Sequence, residues 1–204
     1  MDVTGLTIPH SYVMTPKVHS DDRGDFWEWY KFDQLAEHVG HPLSLRQANS
    51  SVSRKGVFRG IHFAELNPGQ AKYVTCPFGE VLDVLVDIRV GSSTFGQVET
   101  VVLNDKNRKA VYLAEGLGHG FIALTDNAVV NYLVSGVYNP QREHGINPLD
   151  PVFGLIDIEN IQISLSPKDL EAPLLQEALE QGLLPTWEDS LARYEQLSNE
   201  GGLL

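Results

Sequence analysis

The sequence predicts a mainly β chain, an antiparallel sandwich or barrel followed by short C-terminal helices. Three observations carry this expectation. Roughly eight to ten short runs are separated by turn residues at about 8–12-residue spacing, the rhythm of sandwiches and barrels. The helical spacers that would join parallel strands are missing between those runs. From Pro173 onward the apolar pattern changes from period two to the helical repeat.

Taken in order, residues 1–20 read as extended, with Pro9 and Pro16 as breakers, and Asp21-Asp22-Arg23-Gly24 makes a turn. Asp25 to Tyr30 alternates as a strand, with Phe26, Glu28 and Tyr30 on one side and Trp27 and Trp29 on the other. Phe32 to Val39 suits a short helix closed by Gly40 and Pro42. Strands are expected at Leu43–Ser53, Gly56–Phe63, Lys72–Pro77 and Glu80–Val90, the last two parted by a turn at Phe78-Gly79. Within Glu80–Val90, Leu82, Val84, Val86, Ile88 and Val90 share one face, and Asp83, Asp87 and Arg89 share the other. A loop at Gly91–Gly96 leads to a strand at Gln97–Leu103 and a polar turn at Asn104–Lys109. Further strands follow at Ala110–Leu113, His119–Leu124 and Val129–Tyr138, the last ending at Asn139-Pro140.

Asp150 to Ile163 reads as irregular or extended. Two helices follow, the first closed by Gly182 and the second opened by Thr186 and Asp189, which resemble a capping box. Trp187, Leu191, Tyr194 and Leu197 make one apolar stripe, suited to packing on the barrel or on a partner subunit. The 204 residues fit one domain. Its β core is expected over about 20–165 and its helical segment over about 173–198.

Composition narrows the function. The net charge of −12 argues against broad nucleic-acid binding, yet leaves room for one small anionic ligand in a locally positive pocket. The single cysteine, Cys76, excludes an intramolecular disulfide and fits a reducing cytoplasm. No apolar run approaches the roughly 18 residues of a membrane helix, and Met1 to Pro9 lacks the character of a signal peptide.

The stretch Gly56–Lys72 concentrates candidate chemistry. It carries Arg59 and His62, then a turn at Pro68-Gly69, then Lys72. By alternation His62 faces away from Val57, Arg59, Ile61 and Phe63. A lone strand histidine is more often a satisfied structural residue. The functional reading gains from the neighbouring cations, from an open interior, and from His119 in the element Gly116-Leu117-Gly118-His119-Gly120. Those glycines permit close backbone approach or mark merely a bend.

Tyr132, on the face of Val130 and Val134, taken alone reads as a core tyrosine with a tethered hydroxyl. Tyr138 either stacks on an aromatic ligand or closes the barrel. Arg23 reads as a surface ion pair, whereas Glu28 among aromatics needs a partner. Asp169, beside Lys168 in a turn before the helices, serves as a helix cap or as the orienter of a distant histidine. A metal site would have to draw on His62, His119 and Glu65, with no His-x-His pair to support it. Nucleophile-elbow, phosphate-loop, dinucleotide and Cys-x-x-Cys motifs are all absent from the sequence.

The motifs converge on one family. They are Asp22-Arg23-Gly24 with Phe26 and Glu28; Gln47-Ala48-Asn49; Gly56-Val57-Phe58-Arg59-Gly60-Ile61-His62-Phe63; and Gln70-Ala71-Lys72. Asp83 to Arg89, Gly91 to Gly96, Gly118-His119-Gly120-Phe121, Tyr132, Tyr138-Asn139-Pro140, Glu143 and Leu165 to Asp169 follow. In this order, over residues 20 to 170, the chain resembles the dTDP-4-dehydrorhamnose 3,5-epimerase family, the RmlC type of cupin.

The resemblance implies a cupin-type jelly-roll barrel, a homodimer without metal or cofactor, and a dTDP-4-keto-6-deoxyhexose substrate. It implies His62 as general base, Asp169 as its orienter, Tyr132 as the opposing acid and Lys72 at the enolate oxygen. His119 would contact the sugar region, and Arg23 and Arg59 the diphosphate. Glu28, Gln47 and Asn49 would fix the nucleoside, with Phe26 and Tyr138 stacking on thymine. Glu143 and Lys168 fall at further binding positions.

Elementary chemistry agrees. A proton α to a ketone leaves only if the enolate is stabilised, which calls for a base near neutral pKa and a cation at the developing oxyanion. The implied reaction inverts C3 and C5 of dTDP-4-dehydro-6-deoxy-D-glucose to give dTDP-4-dehydro-β-L-rhamnose. Related enzymes invert one carbon only. A cupin ketoisomerase, a non-enzymatic nucleotide-sugar binding module and a metal-dependent oxygenase are the competing readings.

The chain departs from the family pattern in three places. Ala64-Glu65 stands where a Gln is usual, Ile61 replaces Leu, and Asp150-Pro151 is not followed by Trp-Pro.

Overall fold

A computed structural model of the chain describes residues 1–155 and 161–201. The expectation of irregular structure over Asp150–Ile163 therefore lies partly outside the described residues. Ahead of them, Pro151–Phe153 forms a single 3-10 turn whose Val152 amide is capped by the Asp150 side chain.

Thirteen strands and four helices are described. The strands are β1 (Asp2–Gly5), β2 (Ser11–Thr15), β3 (Val18–Asp21), β4 (Gly24–Trp27), β5 (Gln47–Ser53), β6 (Phe58–Ala64) and β7 (Lys72–Phe78). They continue with β8 (Glu80–Asp87), β9 (Val98–Asn104), β10 (Ala110–Leu113), β11 (Leu117–Ala123), β12 (Ala128–Val134) and β13 (Glu143–Gly145). The helices are α1 (Phe32–Val39), α2 (Pro167–Leu170), α3 (Leu175–Glu180) and α4 (Trp187–Gly201).

The strands form two facing antiparallel sheets, ordered β1-β2-β10-β7-β12-β5 and β13-β6-β11-β8-β9, with β3 and β4 as a separate hairpin. This is the expected antiparallel jelly roll with short C-terminal helices. Among the described residues the two sheets share no ladder, so the barrel is open rather than closed. The N-terminal strands are integral to it. β2 pairs β10 with Met14 opposite Ala110, so the core begins well before residue 20.

Apolar side chains divide into three layers. Between the sheets, Val74, Val81, Leu85, Val111, Leu113, Leu117 and Val130 fill one end of the interior. Outside the smaller sheet, Ile61, Phe63, Val84, Val86 and Ile88 pack under Leu175 and Ala178 of α3. Outside the larger sheet, Met14, Tyr73 and Tyr112 meet Leu35 of α1 and Tyr194 of α4. The alternation of β8 is as expected, but its polar face is not solvated. Asp83, Asp87 and Arg89 are fully buried.

Arg89 shows why a charge is tolerated there. Its guanidinium lies 2.8 Å from Asp87, donates to the Pro9 carbonyl and to the Tyr194 hydroxyl, and sits 4.6 Å from the centre of the Trp187 ring. The buried Arg89 and Asp87 charges thus neutralise each other, and the N-terminal segment and α4 are pinned to the barrel. In α4 the Thr186 hydroxyl accepts from the Asp189 amide and donates to the Asp189 carboxylate, a variant of the expected capping box. Trp187, Tyr194 and Leu197 turn inward, whereas Leu191 leaves the stripe and is exposed.

Three further differences concern the rim of the molecule. The strand expected at Asp25–Tyr30 stops at Trp27, because β4 pairs only with the short β3 in an exposed hairpin. β12 ends at Val134, where Ser135 turns to donate to the Ala71 carbonyl. β13, not foreseen in the sequence, adds Glu143–Gly145 to the edge of β6.

Candidate active site

The interior beyond the apolar plug is polar, and its walls come from both sheets. β6 supplies the first group. Strand alternation places Arg59 and His62 on opposite faces, but both line one cavity of about 440 Å³. The reason is a bulge. His119 of β11 pairs with His62, while Phe121, two residues on, pairs with Arg59, three residues back.

The bulge depends on glycines. A Cβ on Gly60 would fall 2.5 Å from the Gly120 Cα, and one on Gly120 would fall 2.7 Å from the Arg59 carbonyl oxygen. Gly60 also holds φ +121°, a region side chains disfavour. The glycines around His119 thus serve close approach of β6 and β11, not merely a bend.

Asp169 reaches His62 from α2. Ser166 caps that short helix by accepting from the Asp169 amide, and its hydroxyl donates to Asp169 Oδ2 at 2.8 Å. The other oxygen, Oδ1, is 2.6 Å from His62 Nε2. Asp169 is therefore both cap partner and histidine partner, the two roles left open by the sequence. Burial pushes its carboxyl up, but the hydrogen bonds from His62 and Ser166 outweigh that and hold it below the usual range. An ionised carboxylate can only accept. Nε2 is therefore the donor to Asp169, which leaves Nδ1 outside this pair.

A second histidine–carboxylate pair lies beside the first. His119 Nε2 is 2.8 Å from Asp83 Oδ1, and Asp83 is wholly buried with its Oδ2 unpartnered. Sequence reading assigned Asp83 only to the polar face of a strand. The available signal was an acid in register for the barrel interior, which needs a partner.

Lys72 faces these pairs from β7 on the opposite sheet. It is buried, with Nζ 3.4 Å from the His62 carbonyl oxygen. Burial lowers its pKa to about 8, against the opposing attraction of Glu143 and Asp83. Tyr132, on neighbouring β12 and opposite Val74 of β7, also lines the cavity. Burial raises its phenol above the ordinary value, countered in part by Arg59, so it stays protonated through neutral pH.

Tyr138, Glu143 and Lys168 line the same cavity, and Arg59 donates to Ser53 Oγ at its edge. Gln47 and Asn49, hydrogen-bonded to each other at 2.7 Å, line an adjoining space of about 250 Å³ that shares His62, Lys72, Tyr132, Tyr138 and Glu143. The Tyr138 amide donates to Gln47 Oε1. Sequence reading counted Gln70 and Ser166 among the motif residues but gave them no role; Gln70 lines this inner space and Ser166 the larger cavity.

Three expected contacts lie elsewhere. Arg23, Phe26 and Glu28 sit on or beside the exposed β3–β4 hairpin and do not line this chain's cavity. Arg23 pairs with Asp21, as its surface reading held, and Glu28 with Lys31. Phe26 is 66% exposed. The metal set weighed from sequence does not converge, since Glu65 is engaged with His144 and Arg142. Among the described residues no group of three or more metal-ligating side chains is placed to hold an ion.

The sequence pattern of the family described as dTDP-4-dehydrorhamnose 3,5-epimerase matches residues 5–177. A dTDP-4-dehydrorhamnose 3,5-epimerase of Mycolicibacterium smegmatis is 50% identical over 197 residues, 97% of each chain. A dTDP-4-dehydrorhamnose 3-epimerase of Streptomyces niveus is 52% identical, over 92% of this chain and 90% of the other. Among solved structures, ChmJ, a 3'-monoepimerase from Streptomyces bikiniensis in complex with dTDP-quinovose, superposes with a TM-score of 0.92 at 42% identity. That match covers 95% of this chain and 98% of the other.

Proposed function

The chain belongs to the dTDP-4-dehydrorhamnose 3,5-epimerase family, and from that premise we propose that it inverts C3 and C5 of dTDP-4-dehydro-6-deoxy-D-glucose. The product is dTDP-4-dehydro-β-L-rhamnose. One observation carries the reading: an imidazole held by a carboxylate at 2.6 Å, His62 on Asp169, shares its cavity with Lys72 and Tyr132.

The chemistry follows from those groups. His62 Nδ1 takes the proton from the carbon next to the ketone, and the C–H electron pair moves into the carbonyl to give an enolate. Lys72, with His119 beside it, stabilises the negative oxygen in a site with little water to compete. Tyr132 returns a proton to the opposite face, which inverts the carbon. Solvent then restores the proton on Tyr132 and removes the one on His62. Arg59 and Lys168 bind diphosphate oxygens, Gln47 and Asn49 the nucleoside, Glu143 the sugar side, and Tyr138 stacks on the base.

The enzyme works, on this reading, as a single-domain protein paired in a homodimer. Arg23, Phe26 and Glu28 are solvent-facing in one chain, and an exposed Phe26 on a protruding hairpin suits the cavity of a second copy. The cytoplasm is the setting proposed. Cys76 is a free, buried thiol, and no described helix is long and apolar enough to cross a membrane.

A second reading has its own support. The Streptomyces niveus relative, named as a 3-epimerase, is 52% identical, so inversion of one carbon of a related keto-sugar is the alternative. Incubation with dTDP-4-dehydro-6-deoxy-D-glucose in D₂O separates the two. Deuterium at C3 and C5 is expected, incorporation at one carbon alone selects the mono-epimerase, and none at either carbon overturns both.

A further inference from the structure

The active cavity continues past its catalytic wall. Its inner space of about 250 Å³ shares two lining residues, Gln70 and Glu143, with a neighbouring cavity of about 230 Å³ beneath the Pro68-Gly69 turn. Those two side chains meet. Gln70 Nε2 donates to Glu143 Oε1 at 3.2 Å and to the Gly136 carbonyl at 3.2 Å. Gly136 lies against the stem of Gln70, since a Cβ there would be 3.7 Å from both Gln70 Cβ and Cγ. One amide, its nitrogen bonded to two acceptors, thus stands between the two spaces.

We propose that Gln70 is a specificity-determining residue, and that the Gln70–Glu143 pair is a partition limiting the size of substituent on the hexose of a bound dTDP-sugar. The proposal rests on the dTDP-sugar reading above. The space behind the partition is room for a bulkier hexose. Cutting Gln70 back to alanine removes four heavy atoms, whereas exchanging a sugar hydroxyl for an acetamido group adds three. The change also suits the chemistry. Glu143 loses the Gln70 amide as donor, and an acetamido N–H can take its place at the charged acceptor. The ligand class admitted by an opened partition is therefore an acetamido-hexose nucleotide.

The test compares wild type and Gln70→Ala by calorimetric titration with dTDP, dTDP-glucose and dTDP-hexoses carrying an acetamido group at C2 or C3. dTDP affinity is expected to agree within twofold between the proteins. At least one acetamido ligand is expected to gain tenfold or more over dTDP-glucose in the variant. Equal ratios in the two proteins, with dTDP still bound, overturn the partition alone. Failure of wild type to bind dTDP overturns the nucleotide-sugar reading and the partition with it. Should the alanine variant not fold, Gln70→Ser, which shortens the side chain but keeps it polar, is held to the same ratios.

Discussion

His62 Nε2 stands 2.6 Å from Asp169 Oδ1, a contact made across 107 residues of sequence. Because Ser166 donates to the other carboxylate oxygen, the carboxylate cannot swing away without giving up two hydrogen bonds. Asp169→Asn keeps the shape but removes the charge that fixes the imidazole tautomer. Turnover should fall by about 10²-fold or more, with dTDP affinity held. The same variant should change acid stability. The folded Asp169 carboxyl is held below the ordinary carboxyl value of 3.8. Its stabilisation is thus fully present above that value and is lost as pH falls through the folded pKa. Urea melts from pH 5 to pH 2 should show wild type losing an advantage that the asparagine variant never had.

Lys72 carries the opposite sign. Its pKa is lowered from 10.5 to about 8, chiefly by burial, so the fold penalises its charged form. The penalty is complete below pH 8 and is relieved as pH rises toward 10.5. Lys72→Met should therefore be more stable than wild type at pH 7, by up to about 3 kcal/mol, with the gap closing at alkaline pH. Catalysis needs the ammonium, so wild-type kcat should decline above pH 8, before the raised Tyr132 phenol titrates. The methionine variant should lose about 10²–10³-fold in kcat. A wild-type profile flat to pH 10 would remove Lys72 from the enolate role.

Tyr132→Phe separates exchange from inversion. With His62 and Lys72 in place, the enolate still forms and His62 returns a solvent-derived deuteron to the face it came from. Deuterium should enter with retained configuration, while inversion falls by about 10²–10⁴-fold. Proton NMR in D₂O reads both at once. Loss of exchange together with inversion would show that Tyr132 does something other than reprotonate.

The fold was legible because strand alternation and turn residues are local signals, and the Thr186–Asp189 cap is equally local. What stayed hidden depends on distance or register. The polar face of β8 reads like a solvated face, and only the second sheet and α4 turn Asp83, Asp87 and Arg89 inward. Arg59 and His62 share a cavity because the Gly60–Gly120 approach forces a bulge, which period two cannot express. The three-residue β13 has no pattern of its own and exists only because the β6 edge is free to pair. Motif order supplied the candidate list, but not that Arg23, Phe26 and Glu28 stand apart from the other members.

That separation sets the last prediction. The hairpin bearing Phe26 is tied at its base by Arg108, which lies 4.2 Å from the Trp27 ring centre and 3.5 Å from Asp25. It is therefore held away from its own cavity rather than resting near it. If the hairpin completes the cavity of a second copy, each site in a dimer draws His62 from one chain and Arg23 from the other. His62→Ala and Arg23→Ala should each be nearly inactive alone. Mixed and allowed to exchange subunits, half the dimers become hybrids, and each hybrid holds one intact site. Activity should then recover to about a quarter of wild type, as random two-fold assortment dictates. Were the hairpin to serve its own chain, no hybrid would hold an intact site, and the mixture would stay inactive at every ratio of the two variants.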